Sequence, residues 1–174
     1  PNDAAENSSN NFEQTLLYEN TGTADKPELT FSKKNFLLDN TIELGAGAAP
    51  EFVDFDLDGD LDLVVGNFMQ KTDPTIQYNG LFFYENTGSA TSPKFLLKNK
   101  DFANTSSLGY YSTYPSFADL DDDGDKDMML GEFNGKFFYF QNTADSGASM
   151  NLVLDSAEFG GLDVGYFSSP TFAD

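Results

Sequence analysis

The sequence predicts an all-β fold built from repeated units, each of about four antiparallel strands. Three observations predict it. Two landmarks recur in step along the chain, the runs between them have strand chemistry, and no stretch keeps a 3.6-residue period over helical length.

The recurrence comes first because it fixes the unit. Pro50-Glu51-Phe52-Val53-Asp54, Pro115-Ser116-Phe117-Ala118-Asp119 and Pro170-Thr171-Phe172-Ala173-Asp174 align, with intervals of 65 and 55 residues. A second landmark runs Leu17-Tyr18-Glu19-Asn20-Thr21-Gly22, then Phe83-Tyr84-Glu85-Asn86-Thr87-Gly88, then Tyr139-Phe140-Gln141-Asn142-Thr143-Ala144. Its asparagines are 66 and then 56 residues apart. Both landmarks thus report a long unit followed by one ten residues shorter, an agreement that chance rarely supplies.

Within a unit the elements follow in order. Leu61-Asp62-Leu63-Val64-Val65 and Lys126-Asp127-Met128-Met129-Leu130 are short apolar runs ended by Gly66 and Gly131. Asn79-Gly80 and Asn134-Gly135 are hairpin signals. They lead into the aromatic runs Leu81-Phe82-Phe83-Tyr84 and Phe137-Phe138-Tyr139-Phe140, which have high strand propensity. Asn-Thr-Gly then turns the chain toward Lys94-Phe95-Leu96-Leu97. Four strands per unit is the make-up of a propeller blade. The Asn-rich stretch from Asn7 to Asn11 reads as a flexible lead-in.

Composition narrows the partners. The 174 residues are 39% hydrophobic and 15% aromatic, enough for a real core, and carry a formal charge of −20. All nine basic residues are lysine. Nucleic acid, which needs a basic surface, and anionic membranes are therefore poor partners. Such a charge destabilises a compact chain unless cations offset it. With no cysteine, neither disulfides nor thiolate metal sites are available, and no apolar run approaches the ~20 residues of a membrane span.

Eleven of the 20 aspartates lie in two nine-residue windows, Asp54 to Asp62 and Asp119 to Asp127. Each has Asp at positions 1, 3 and 5 and Gly at position 6, the front half of a calcium loop. An acidic face on an amphipathic strand would explain the first window, where Asp alternates with Phe55, Leu57 and Leu61. It fails in the second, where Asp122 and Lys126 take the supposedly buried positions while the aspartate template and Gly124 stay. An EF-hand is excluded because position 12 is Val65 or Leu130, inside a strand. Position 9, Asp62 or Asp127, closes the site instead. Mg²⁺ fits less well, since it demands a rigid octahedron and keeps its waters.

These residues resemble the FG-GAP/VCBS repeats, a family also seen in integrin α-chain propellers. The matching pattern is Pro-x-Phe-x-Asp-x-Asp-x-Asp-Gly-Asp-x-Asp, then Gly, then aromatic strands ending near Asn-Thr. The resemblance implies a partial seven-bladed propeller, with a lead-in and half blade over 1–48, full blades over 49–113 and 114–168, and the start of another over 169–174. It implies two complete Ca²⁺ sites. The side chains of Asp54, Asp56, Asp58 and Asp62, with the carbonyl of Asp60, would hold the first. Asp119, Asp121, Asp123 and Asp127, with the carbonyl of Asp125, would hold the second. Asp174 would open a third, truncated site. An unclosed array leaves edges exposed, so the remaining blades are expected from the same chain or another.

Without His, Cys or Arg, triads, thiol nucleophiles and imidazole bases are excluded within this stretch. Glu19 and Glu85 recur at one repeat position where the third copy has Gln141, which suits structure better than glycosidase chemistry. The expectation is a non-catalytic module, extracellular or at a bacterial cell surface, for adhesion, scaffolding or binding a protein or glycan ligand. The alternative is a propeller of a secreted polysaccharide-degrading enzyme or a lectin. Asp155-Ser156-Ala157 resembles the short O-glycosylation acceptor of some surface bacteria.

Overall fold

A computed structural model of the chain describes residues 16–34, 44, 47–67, 80–110 and 112–173. The lead-in from Asn7 to Asn11, Asn79 and Asp174 fall outside these residues. The described residues form ten strands and two short 3₁₀ turns, with no α-helix among them, so the protein is all-β. The chain divides into two compact units, Pro1–Glu43 and Leu44–Asp174.

In the first unit, β1 (Leu16–Asn20) and β2 (Leu29–Lys34) form an antiparallel hairpin. The second unit holds two four-stranded antiparallel sheets. One runs β3 (Ala49–Val53), β4 (Asp62–Gly66), β5 (Leu81–Asn86) and β6 (Phe95–Phe102), each paired with the next. The other repeats that order with β7 (Tyr114–Ala118), β8 (Asp127–Gly131), β9 (Phe137–Asn142) and β10 (Leu152–Ser156).

Burial follows position in the sheet. β4 and β8 are buried at all five residues, as expected of central strands covered on both faces, and this is why their sequences are continuous apolar runs. The outer strands β6 and β10 are mostly half-buried or exposed. The two sheets share one core. Val53, Val64, Leu81, Phe83 and Phe102 of the first pack with Phe117, Met128, Leu130, Phe138 and Phe140 of the second, and with Met150. Burying each such side chain contributes about 1.5–3 kcal/mol, so the sheet-to-sheet contact is a main source of stability.

Gly66 and Gly131 end β4 and β8 for a steric reason. A Cβ on Gly66 would lie 1.9 Å from the Thr113 carbonyl oxygen, and one on Gly131 would lie 2.1 Å from that of Ser168. The chain entering β7 crosses so close that only glycine fits, and Thr113 N–H donates to Asn67 O at 3.3 Å. Ser168 makes the same crossing one repeat later, donating to Glu132 O at 3.0 Å.

The Asn-Thr landmark is a turn fastener. Asn20 Oδ1 accepts from Gly22 N–H (3.0 Å) and Glu28 N–H (2.9 Å). Asn86 Oδ1 accepts from Gly88 (3.1 Å) and Lys94 (2.8 Å), and Asn142 Oδ1 from Ala144 (3.2 Å) and Asn151 (2.9 Å). One side-chain oxygen thus binds both arms of each turn.

Candidate metal centres

The two aspartate windows form the connections of the first hairpin in each sheet. Val53 pairs with Asp62 and Ala118 with Asp127, so residues 54–61 and 119–126 are eight-residue loops. Leu57 and Leu61 are 54% and 52% exposed, which removes the amphipathic-strand reading, since neither is buried. Phe55 does turn inward. Its ring lies 4.7 Å from Phe83 and 5.5 Å from Phe102, anchoring the loop to the core.

Both loops curl the same way. Positions 4 and 6 are left-handed in each, with φ of 61° at Leu57 and 92° at Gly59, and 64° at Asp122 and 96° at Gly124. A Cβ on Gly59 or Gly124 would meet nothing within 4 Å, so glycine is there for its backbone angle rather than for space. Left-handed Leu57 and Asp122 are each strained by about 1–2 kcal/mol. Asp54 Oδ2 accepts from Gly59 N–H at 3.1 Å, and Asp119 Oδ2 from Gly124 N–H at 3.0 Å. Asp58 and Asp123 accept from the N–H two residues on, both at 3.0 Å.

The curl concentrates carboxylates. One oxygen from each of Asp54, Asp56 and Asp58 lies within 4.8 Å of the others, and the same holds for Asp119, Asp121 and Asp127. Asp60, Asp62, Asp123 and Asp125 stand outside these gathered sets. The position-9 residues have a second task that spacing alone does not reveal. Asp62 accepts from Phe55 N–H (3.1 Å) and Asn86 N–H (2.7 Å), and Asp127 from Leu120 N–H (3.1 Å) and Asn142 N–H (2.7 Å). Each clasps the start of its loop to the third strand of its sheet.

Asp60, expected to offer its carbonyl, also has a buried side chain. The residue is only 8% exposed, and its Oδ1 is buried without a hydrogen-bond partner. Asp54 Oδ1 and Asp125 Oδ1 are orphaned in the same way. Burial, reinforced by the negative charges of Asp58, Asp56 and Asp54, pushes the Asp60 carboxyl above its ordinary range, against the pull of an Asn86 side-chain hydrogen bond. Burial also raises Asp62, although the N–H groups of Asn86 and Phe55 favour its charged form. Asp125 is raised by burial, then by Asp123 and Asp127, with Asn142 opposing. Crowded carboxylates with buried, unpartnered oxygens suit a hard cation that takes oxygen ligands. The residues present therefore fit calcium.

Asn86 and Asn142 were legible in the sequence only as landmarks. They join the loops to the strand turns through both main chain and side chain. Between the loops lies a cleft of about 580 Å³, bordered by Asp54, Leu57 and Leu61 on one side and by Asp123, Asp125 and Lys126 on the other.

Residues 54–130 match the family model of the FG-GAP-like repeat, a span that opens on the first aspartate of one loop and includes the whole of the other. Those residues are thus similar to an FG-GAP-like repeat. No curated protein and no solved structure matches the chain.

Proposed function

We propose, from the likeness of residues 54–130 to an FG-GAP-like repeat, that this chain is a non-catalytic, calcium-stabilised module of an extracellular or cell-surface protein. In this reading the two four-stranded sheets are blades of a propeller, completed by further blades of the same chain or another. Their role is to present a rigid surface for adhesion, scaffolding or ligand binding.

The observation that carries the calcium reading is the buried, unpartnered carboxylate oxygen inside a curled acidic loop, Asp60 Oδ1 in the first and Asp125 Oδ1 in the second. A native structure rarely leaves such an atom without a partner. An ion bound by Asp54, Asp56, Asp58 and Asp62, with help from Asp60, would supply one. Asp119, Asp121, Asp123, Asp125 and Asp127 are the counterparts. When bound, calcium neutralises the crowded charge and fixes the loop that joins the first two strands of each sheet. The non-catalytic reading is supported by a sequence with no His, Cys or Arg. The extracellular reading is supported by the usual setting of FG-GAP repeats. No helix among the described residues is long and apolar enough to cross a membrane.

Thermal unfolding with and without a calcium chelator tests this. Calcium at a hundredfold its Kd adds about 2.7 kcal/mol per site to the native state. A clear fall in melting temperature on chelation, reversed by calcium and poorly by magnesium, is expected. An unchanged melting temperature counts against the reading.

A further inference from the structure

Resting on that calcium reading, we propose that Gln141 and Tyr139 are positioning residues for the second loop, and that they make it the tighter of the two calcium sites.

Gln141 Nε2 donates to Asp121 Oδ2 at 2.7 Å, and Tyr139 OH donates to Asp127 Oδ2 at 3.0 Å. Asp121 and Asp127 are two of the three carboxylates that the second loop gathers. With Oδ2 held by Gln141, Asp121 presents its other oxygen in a fixed direction, and Tyr139 adds a third donor to Asp127, whose oxygens already accept from Leu120 and Asn142 N–H. The arriving ion then need not freeze those side chains itself. Donors of this outer kind commonly change metal affinity by about 10–100-fold.

Among the described residues, the first loop has neither donor. Aligning Asn86 with Asn142 puts Phe83 where Tyr139 stands and Glu85 where Gln141 stands. Phe83 has no hydroxyl, and its ring packs on Phe55 and Phe102. Glu85 has no donor and instead accepts Lys98 in an ion pair at 2.9 Å. The gathered sets differ accordingly. The position-9 aspartate joins its neighbours in the second loop, whereas the first gathers positions 1, 3 and 5.

Net charge favours the other ranking, since Lys126 sits in the second loop and Glu85 beside the first. However, Lys126 is exposed and Glu85 is partly offset by Lys98. Solvent and salt weaken such surface charges, so orientation decides the order.

Calcium titration of the full chain by calorimetry, followed in parallel by near-ultraviolet tyrosine absorption, tests the ranking. The chain has no Trp, so tyrosine carries that signal. Two classes of site are expected. The tighter one should perturb tyrosine, and Tyr139→Phe should abolish that perturbation. Gln141→Met keeps the length and removes the donor. It should weaken the tighter class about 10–100-fold and leave the weaker class unchanged, which also checks folding. Glu85→Gln supplies the missing donor and should move the weaker class toward the tighter one, a gain that a purely structural role for Gln141 would not produce. If Gln141→Met does not fold, Glu85→Gln decides alone. Two indistinguishable classes in the unaltered chain, or no gain with Glu85→Gln, would overturn the proposal while leaving the calcium reading intact. No calcium bound at any site would overturn both.

Discussion

The main-chain N–H of Asn86 donates to Oδ1 of Asp62 at 2.7 Å, joining the end of β5 to the residue that closes the first acidic loop and opens β4. Asn142 and Asp127 repeat the bond at the same distance. Asn86 also holds the next turn with its side-chain oxygen. One asparagine thus couples the loop, the third strand and the turn beyond it, so ordering the loop orders the sheet.

Position 9 and position 5 should therefore separate on mutation. Asp62→Asn replaces one acceptor with a donor facing a main-chain N–H. It is expected to cost about 1–3 kcal/mol even in chelator. Asp58→Asn keeps an oxygen for the Asp60 N–H, so it should weaken calcium binding in the first loop with little effect on the chelated protein. Chemical denaturation of both variants, with and without calcium, checks this contrast.

Asn142→Ala deletes the acceptor shared by Ala144 and Asn151 while keeping the main-chain bond to Asp127. Stability should fall by about 1–3 kcal/mol. Asn142→Asp keeps the acceptor but sets a charge beside Asp125. Its loss should be small in calcium and larger in chelator, as read from melting temperatures in the two conditions.

The raised carboxyls of Asp60, Asp62 and Asp125 predict an unusual pH response. A carboxyl with a higher pKa in the folded chain binds more protons folded than unfolded. Stability then falls as pH rises from the ordinary value of 3.8 through the raised one. In chelator, acidification into the range where these raised carboxyls bind protons should raise the melting temperature. In calcium it should lower it, because protons compete with the ion. Asp60→Asn should make the chelated protein more stable at neutral pH and reduce its gain on acidification. Melting curves across pH in the two conditions check these signs.

Much of this architecture was legible because its signals are local. The apolar runs ending at Gly66 and Gly131, the aromatic strands and the Asp-x-Asp-x-Asp-Gly template each lie within a few residues of sequence. The clasp between Asp62 and Asn86 spans 24 residues and depends on strand register, which spacing along the chain does not give. Gly66 looked like a strand terminator, but its reason is the Thr113 carbonyl of the following strand's approach. Asp60 was legible only as a carbonyl ligand, and the burial of its side chain depends on how the loop curls, which spacing does not give. The difference between Glu85 and Gln141 was visible, yet its meaning needed the 2.7 Å approach to Asp121.

Counting bound calcium tests the central claim most directly. The chain, stripped with chelator and dialysed against calcium, should retain one ion per acidic loop by metal analysis. The Asp54→Asn/Asp119→Asn variant should retain far less. Calcium no higher than in the dialysis buffer, or equal retention by the variant, would contradict the account.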